Sequence, residues 1–449
     1  MNLDLQTLAD AVAGTAAAFR CITGYQPVGG PSDKVFPPTY DGGKYATEDR
    51  IDPKTGELRQ CVLLDSVQSQ TNRMELALLE ALRANRVTLP LLVTRFDQET
   101  LPKKFVVSSL EAPHRVADAL FRDSLLDGVK FRDSEAGRVL DKADVRNATG
   151  LFGLCPTALV FGLWDSTGPR GGLGAKFQRA LVSEIIGYDA VPGVNTSSRI
   201  DPAAIEKRAG PVFRTESGDW TLSATDARKG KGGKPVLYKP NSRGQDVIYD
   251  PAGNKDVPDQ GRPSTLNHGN VTPDIAYARD NNNRIQYETR IDERGEEVKV
   301  RPRIRGGFTI SRAVQTTTLS LAVLRRLRFP LDSAVDSDHQ VDLAARTALA
   351  ALGLAAGTLA REDVDLRSRC HLFADGESAW QLLDRPGEEP AEFVLDPDAA
   401  LDLLTVAIQA AKAAGLPWEG VIELSPAPEL VQLVQRSQDL TSKGESEAG

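Results

Sequence analysis

Lys299, Arg301, Arg303 and Arg305 recur at every second position. In an extended strand that period puts all four cations on one face, about 6.6–7 Å apart, a pitch that suits a phosphodiester backbone. The same pattern also serves a solvated edge strand, where charge blocks unwanted pairing. The row opens an acid-free run from Lys299 to Leu331 that holds eight Lys and Arg, Arg312 among them. A second acid-free run, Ala227 to Gln245, carries Arg228, Lys229, Lys231, Lys234, Lys239 and Arg243. Two such runs favour a polyanion partner. Upstream, Ser69, Asn72 and Arg73 stand at i, i+3 and i+4 and share a helix face, with Gln68 beside them. Amides and a forked cation on a helix that opens just after a strand make an anion site, aided by the helix dipole. An amphipathic helix with a polar face gives the same spacing.

Other signals fail on their chemistry. The glycine-rich stretch Gly168-Pro-Arg-Gly-Gly-Leu-Gly174, with Arg170, Lys176 and Arg179 around it, lacks the Gly-Lys-Ser/Thr of a P-loop, because Ala175-Lys176-Phe177 stands there. No GxSxG elbow and no HExxH pattern occur. Cys21, Cys61, Cys155 and Cys370 are far apart and include no CxxC pair, which excludes a zinc ribbon or a disulfide framework. His371, in an expected strand, reads as structural, and the isolated Asp33, Asp41 and Asp65 as turn or cap residues. The sequence implies no metal site and no cofactor.

The elements that must position these residues are those of a mixed chain. A helix is expected from Leu3 to about Ala18, an apolar stretch over Phe19–Tyr25, and a Pro/Gly-rich loop from Pro27 to Gly43. Strands are expected at Cys61–Leu64, Leu89–Phe96, Ala158–Trp164 and Ala180–Ile186. Helices are expected from Asp65, as cap, through Leu82, at Arg115–Leu126 and at Ser311–Arg328. Later come a helix over Val341–Ala360, strands near Ser368–Phe373 and Ala391–Leu395, a helix over Ala399–Ala414, and a polar tail from about Ser437. Residues from about Asp189 to Arg305 are too irregular for a single connection and read as inserted hairpins and arms. Strands alternating with helices argue for an α/β or α+β core.

The 449 residues, 41% hydrophobic and 26% charged, describe a globular protein rather than a disordered or fibrous one. No apolar run reaches the roughly 18–20 residues of a membrane span, and nothing reads as a signal peptide, so no membrane and a cytoplasmic setting are expected. The net charge of −8 hides a split. Residues up to Leu331 carry 46 basic and 40 acidic side chains, whereas those from Asp332 onward carry 8 and 22. An electrostatic footprint is a local patch, so the global sign decides little.

Three segments carry a resemblance: Gln26-Pro-Val-Gly-Gly-Pro-Ser-Asp-Lys-Val-Phe-Pro-Pro-Thr-Tyr40, Leu64-Asp-Ser-Val-Gln-Ser-Gln-Thr-Asn-Arg-Met-Glu75 and Ser198-Arg-Ile-Asp-Pro202. They resemble the backbone subunit of the type I-U (also called I-G) CRISPR Cascade effector, in the RAMP superfamily, over roughly the first 330 residues. The resemblance implies an α+β fold. In it, a ferredoxin-like (RRM-type) palm with a finger insertion spans 1–188, and inserted arms or a thumb span 189–307. Residues 308–449 return to the palm and add an acidic, α/β C-terminal part. It implies a non-enzymatic subunit whose copies line up head-to-tail along a CRISPR RNA and present it to target DNA, beside other Cascade subunits. A helicase-nuclease recruited in trans then cuts.

Matched residue by residue, the resemblance puts RNA contacts at Lys34, Gln68, Ser69, Asn72 and Arg73, with Gly29 and Gly30 letting backbone approach the strand. Arg199 is implied as a phosphate or thumb contact. Arg170, Lys176, Arg179, Lys299–Arg305 and Arg312 rest on charge and position alone. A coat for any spacer must hold phosphates and sugars rather than base edges. The sequence shows no aromatic signature of a base-stacking RRM sheet. Head-to-tail copies need a non-closing interface, for which the acidic C-terminal quarter and the basic arms are candidates. The rival is a metal-dependent endoribonuclease of the type III backbone-subunit kind, using a loop aspartate such as Asp33 or Asp41.

Overall fold

The computed structural model describes residues 2–166, 174–206, 209–239, 246–250, 261–275, 287–291, 295–300, 305–332, 334–362, 364 and 366–442. It divides into two compact units, one from Met1–Val191 with Phe308–Asp439 and the other built on Pro192–Gly307. Both helices and antiparallel sheets are present, as expected of an α+β chain.

The larger unit begins with helix α1 (Leu5–Ala13), capped by Asp4, whose carboxylate accepts from the Thr7 amide at 2.8 Å. The helix stops short of the expected Ala18, because strand β1 (Ala18–Pro27) starts there. In β1 Phe19, Cys21, Thr23 and Tyr25 are buried and Ile22 faces out, the period of two that marks a half-buried strand. A hairpin of β2 (Thr47–Ile51) and β3 (Leu58–Asp65) leads into helix α2 (Val67–Arg83). Ser66 caps α2, accepting from the Ser69 amide at 3.2 Å. Asp65, expected as the cap, is instead the last, buried residue of β3.

Beyond β4 (Leu91–Phe96) the expected helix over Arg115–Leu126 breaks into a single turn, a short helix at Ala119–Arg122 and a strand at Ser124–Leu126. Asp118 caps that short helix, and Asp127 and Gly128 turn the chain at positive φ. The expected strand over Ala158–Trp164 is a buried helix, Thr157–Phe161, followed by two strand residues. Burial on every side leaves no period to read.

Strand β5 (Leu181–Tyr188) stands as expected. β6 (Arg312–Ser320) corrects the helix expected over Ser311–Arg328, of which only Leu321–Leu324 is helical. Ala313, Gln315, Thr317 and Leu319 alternate inward, and the β-branched Thr316–Thr318 suit a pleated strand better than a helix.

Helix α3 (His339–Glu362) follows, then β7 (Leu372–Ala374), β8 (Trp380–Leu383) and β9 (Ala391–Phe393), and helix α4 (Pro397–Ala413). β10 (Val421–Pro426) and helix α5 (Pro428–Ser442) occupy the end, so helix continues past Ser437, where a polar tail is expected.

The main sheet runs β9-β8-β1-β6-β5-β3-β2, with β7 also paired to β1. All these pairings are antiparallel. The second sheet places β10 parallel to β4 and antiparallel to Ser124–Leu126. α3 is the hub of the core, packing against α1, α2 and α4. A Cβ at Gly357 would lie 2.9 Å from the buried Trp380 ring, and one at Gly353 2.9 Å from Leu319, so two glycines one turn apart let α3 lie close on the sheet. By length and composition α3 could cross a membrane, but most of it is buried in this core. Near its start Arg346 donates to Asp342 at 2.7 Å and to the Leu327 carbonyl at 2.6 Å, and Arg328 pairs with the same Asp342 at 3.5 Å.

The smaller unit is made of short strand pairs, Thr196–Arg199 with Val271–Ile275, Phe213–Arg214 with Trp220–Thr221, and Glu288–Ile291 with Glu297–Val300. Phe213, Ala227 and Leu237 form a small core under Tyr249.

Candidate nucleic-acid interface

The loop that leaves β1 is a glycine turn. The Gly30 amide donates to the Pro27 carbonyl at 2.9 Å and the Asp33 amide to the Gly30 carbonyl at 3.1 Å. Gly30 sits at φ +95°, a region open to glycine and strained for other residues. A Cβ on Gly29 would strike the Asp33 carboxylate. Val35 and Phe308 exchange backbone hydrogen bonds at 2.9 and 2.8 Å, which fixes the far side of the loop.

The near side is held by a segment from the acidic C-terminal quarter. The Val28 amide donates to the His371 carbonyl at 3.1 Å, and the Phe36 amide to the Arg369 carbonyl at 2.8 Å. Arg367 adds a bond to the Pro37 carbonyl at 3.3 Å. The Arg369 guanidinium lies over the Phe36 ring at 4.1 Å, and the Lys34 ammonium lies 5.8 Å from the same ring. Two cations thus converge on one aromatic ring beside the turn.

The second expected cluster sits on the first turns of α2. Asp65 on β3 pairs with Ile185, which pairs with Gln315, which pairs with Thr23, so α2 starts halfway along the sheet. The Asp65 carboxylate, 4% exposed, accepts from Gln70 at 2.6 Å and from Arg73 Nε at 2.9 Å. The Gln70 carbonyl accepts in turn from Gln315 at 2.6 Å and from Ser183 at 3.1 Å. Tyr25 closes the chain, donating to Gln315 at 2.8 Å, and burial pushes its hydroxyl up to about 12. This polar network under α2 is connected throughout, which fixes the helix on the sheet.

Arg73 therefore has structural work, because it also donates to the Leu366 carbonyl at 2.6 Å. Gln68 and Asn72 are exposed one turn apart, with Ser69 half-buried between them. The segment from Leu366 to His371 touches both clusters and so ties the glycine turn to α2.

The remaining expected residues are placed elsewhere. Lys176 stacks on the exposed Trp164 at 5.7 Å in a small hairpin. Arg179 is half-buried and donates to the Phe161 carbonyl at 3.1 Å; burial and the nearby Arg115 hold its pKa down. Arg115 grips Glu75 through two bonds of 2.6 and 2.9 Å, and burial pushes the Glu75 carboxyl up to about 7 against that pull. Arg312 is exposed over the Tyr188 ring at 5.3 Å.

In the smaller unit Arg199 donates to the Gly269 and His268 carbonyls at 3.0 and 2.9 Å, so it locks its own strand pair. Of the alternating row, Lys299 is exposed in a strand and Arg305 opens another, while Arg301 and Arg303 lie outside the described residues, as do Arg170 and Arg243. In the other basic run Arg228 pairs with Asp246 at 3.3 Å and Lys234 pairs with Asp250, acids that stand just past its end.

Sequence reasoning missed Arg367 and Arg369. The signal was present, since Arg367 to Phe373 holds no acid, but the acidic tally of the whole quarter masks it. It also missed the role of Asp65 and Gln70, which depends on strands far away in the chain. Among the described residues no three His, Cys, Asp or Glu side chains converge as a metal site would require, and the four cysteines are buried and form no disulfide.

Residues 19–192, which include the glycine turn and all of α2, match the family described as CRISPR-associated protein GSU0053. The match supports a CRISPR-associated protein. No curated protein matches the chain.

Proposed function

We propose that this CRISPR-associated chain is a structural backbone subunit of a type I-G Cascade ribonucleoprotein. Several copies coat the CRISPR RNA through its sugar–phosphate backbone and present it for pairing with target DNA. The observation that carries the reading is the joining of a glycine turn with Lys34 to the exposed amides of Gln68 and Asn72 through one bridging segment. Backbone amides, side-chain amides and cations recognise phosphate and ribose without reading bases, as a coat for any spacer must.

The strand order supports a ferredoxin-like palm. Taken as β1, α2, β5, β6, α3, β8, the chain has two β-α-β crossovers whose strands lie in the order β8-β1-β6-β5. The β2–β3 hairpin is then an insertion that widens the sheet at its β5 edge. On this reading the subunit is not an enzyme and works in the cytoplasm with CRISPR RNA, further copies of itself, other Cascade subunits and a helicase-nuclease.

Co-expression with a CRISPR array tests the reading. The purified protein is expected to carry a discrete RNA with a raised 260/280 absorbance ratio, and RNA-free material that takes up no guide would sink the proposal. Incubating the complex with complementary RNA and Mg²⁺ separates the scaffold from the endoribonuclease rival, for which periodic cuts lost in Asp33→Ala are required.

A further inference from the structure

The face of the main sheet opposite α2 and α3 is partly open, with Ile22 on β1 and Thr316 on β6 exposed. On β1 it presents Arg20, Ile22, Gly24 and Gln26, and on β6 Arg312, Val314, Thr316 and Thr318. None of these is aromatic, so the two central strands offer no ring to a base. The edge is different. Phe373 on β7 stands directly opposite Gln26, on the open face, and is 63% exposed. Its ring is thus a broad apolar surface turned to solvent beside exposed cations. Two residues earlier His371 is exposed, and Arg369 and Arg367 precede it, both exposed. Arg367 and Arg369 lie in the turn that leads into β7, six and four positions before Phe373.

We propose that Arg367–Phe373 is a second contact for single-stranded RNA, with the Phe373 ring stacking on an unpaired base and Arg369 and Arg367 holding the flanking phosphates. The proposal rests on the guide-coating reading and extends it to a stretch outside residues 19–192. Its support is threefold. The segment is hydrogen-bonded to the glycine turn, so the two surfaces are continuous. Arg369 is pre-oriented, with its backbone at φ +61° and its guanidinium laid on Phe36 beside Lys34. The acids nearby are disposed to guide the strand rather than to repel it. Asp33 is turned into the glycine turn, where it accepts from the Lys34 amide at 2.8 Å. Asp375, two residues past Phe373, lies beside Gly24, and its amide donates to the Gly24 carbonyl at 2.9 Å, so the acid stands at the end of the segment away from Arg369. A ring that stacks is indifferent to base identity, which agrees with a coat for any spacer.

The test uses the full chain freed of RNA, with fluorescein-labelled single-stranded RNA of two unrelated sequences. Phe373→Ala is expected to weaken binding about 5- to 150-fold on both sequences, the range that loss of one base–aromatic stack produces. Phe373→Leu, which keeps an apolar side chain without a ring, is expected to lose a similar factor, and Phe373→Trp to bind with quenched indole emission. Arg369→Gln is expected to reduce the slope of log affinity against log salt by about 0.7, one phosphate contact on a single strand. Wild-type affinity in Phe373→Leu, or an unquenched Phe373→Trp that still binds, overturns the stacking. An unchanged salt slope in Arg367→Gln/Arg369→Gln overturns the phosphate contacts. In these cases the guide-coating reading stands, because the wild type binds. If the wild type itself takes up no RNA, that reading fails first.

Discussion

Replacing Arg73 separates its part in the fold from the proposed RNA contacts of its neighbours. Its guanidinium is 29% exposed, while its partner Asp65 is 4% exposed, so Arg73→Ala leaves a buried carboxylate with Gln70 as its remaining side-chain donor. Breaking a fully buried ion pair costs about 3–5 kcal/mol. Partial solvent access to Arg73 lowers this, and the freed Leu366 carbonyl adds back roughly 0.5–1.5 kcal/mol. A loss of about 2–4 kcal/mol follows, or a fall in unfolding temperature of roughly 3–6 °C for a unit of this size. Arg73→Lys is expected to fall between, since an ammonium can reach Asp65 without forking to Leu366. In an Asp65→Asn background the same Arg73→Ala change is expected to cost little more than the Leu366 bond, roughly 0.5–1.5 kcal/mol, because the buried charge has gone. Asn72→Ala, one residue away and exposed, is expected to change stability by less than about 0.5 kcal/mol and to weaken RNA binding equally for unrelated sequences, with a smaller effect on salt dependence. Circular dichroism melts and fluorescence anisotropy give the two readouts. An Arg73→Ala protein that melts with the wild type would refute the reasoning.

Glu75 makes stability depend on pH in an unusual direction. Its carboxyl is raised by burial to about 7, so the unfolded chain releases that proton first. Stability from this group is present below about 4.5 and declines as pH rises toward 7; urea unfolding between about pH 5 and 7.5 should show the decline, flattened in Glu75→Gln. Gly357→Ala drives a methyl into Trp380 and is expected to cost about 1–3 kcal/mol in a chemical denaturation series. Gly29→Ala is expected to weaken RNA binding by displacing Asp33, and Asp33→Gly in the same chain to restore part of it, measured by anisotropy.

Elements with a strong local period were legible from the sequence. α3 and α4 appear close to their expected limits, as do β3, β4 and β5. β6 was not, because Thr316–Thr318 flanked by Leu319 and Leu321 mimics a helix face until the alternating burial is seen. Thr157–Phe161 misled in the opposite sense, since a helix buried all round reads as a strand. The candidate site was legible as residue types, but the assignment of Arg73 and Arg199 to internal carbonyls and carboxylates was not. An arginine within a motif looks alike whether it faces a phosphate or a main-chain oxygen, and only distant segments, Leu366 for Arg73 and His268–Gly269 for Arg199, decide between them.

β1 obtains its neighbours late. Its partners β6, β7 and β8 all come from beyond Phe308, although β1 begins at Ala18. On the ribosome this strand emerges early and must wait, with both edges unpaired, until most of the polypeptide has been made. A fragment ending at residue 192 would expose those edges permanently. Such a piece should be insoluble or chaperone-bound, and a nascent chain stalled there should be an especially vulnerable aggregation intermediate.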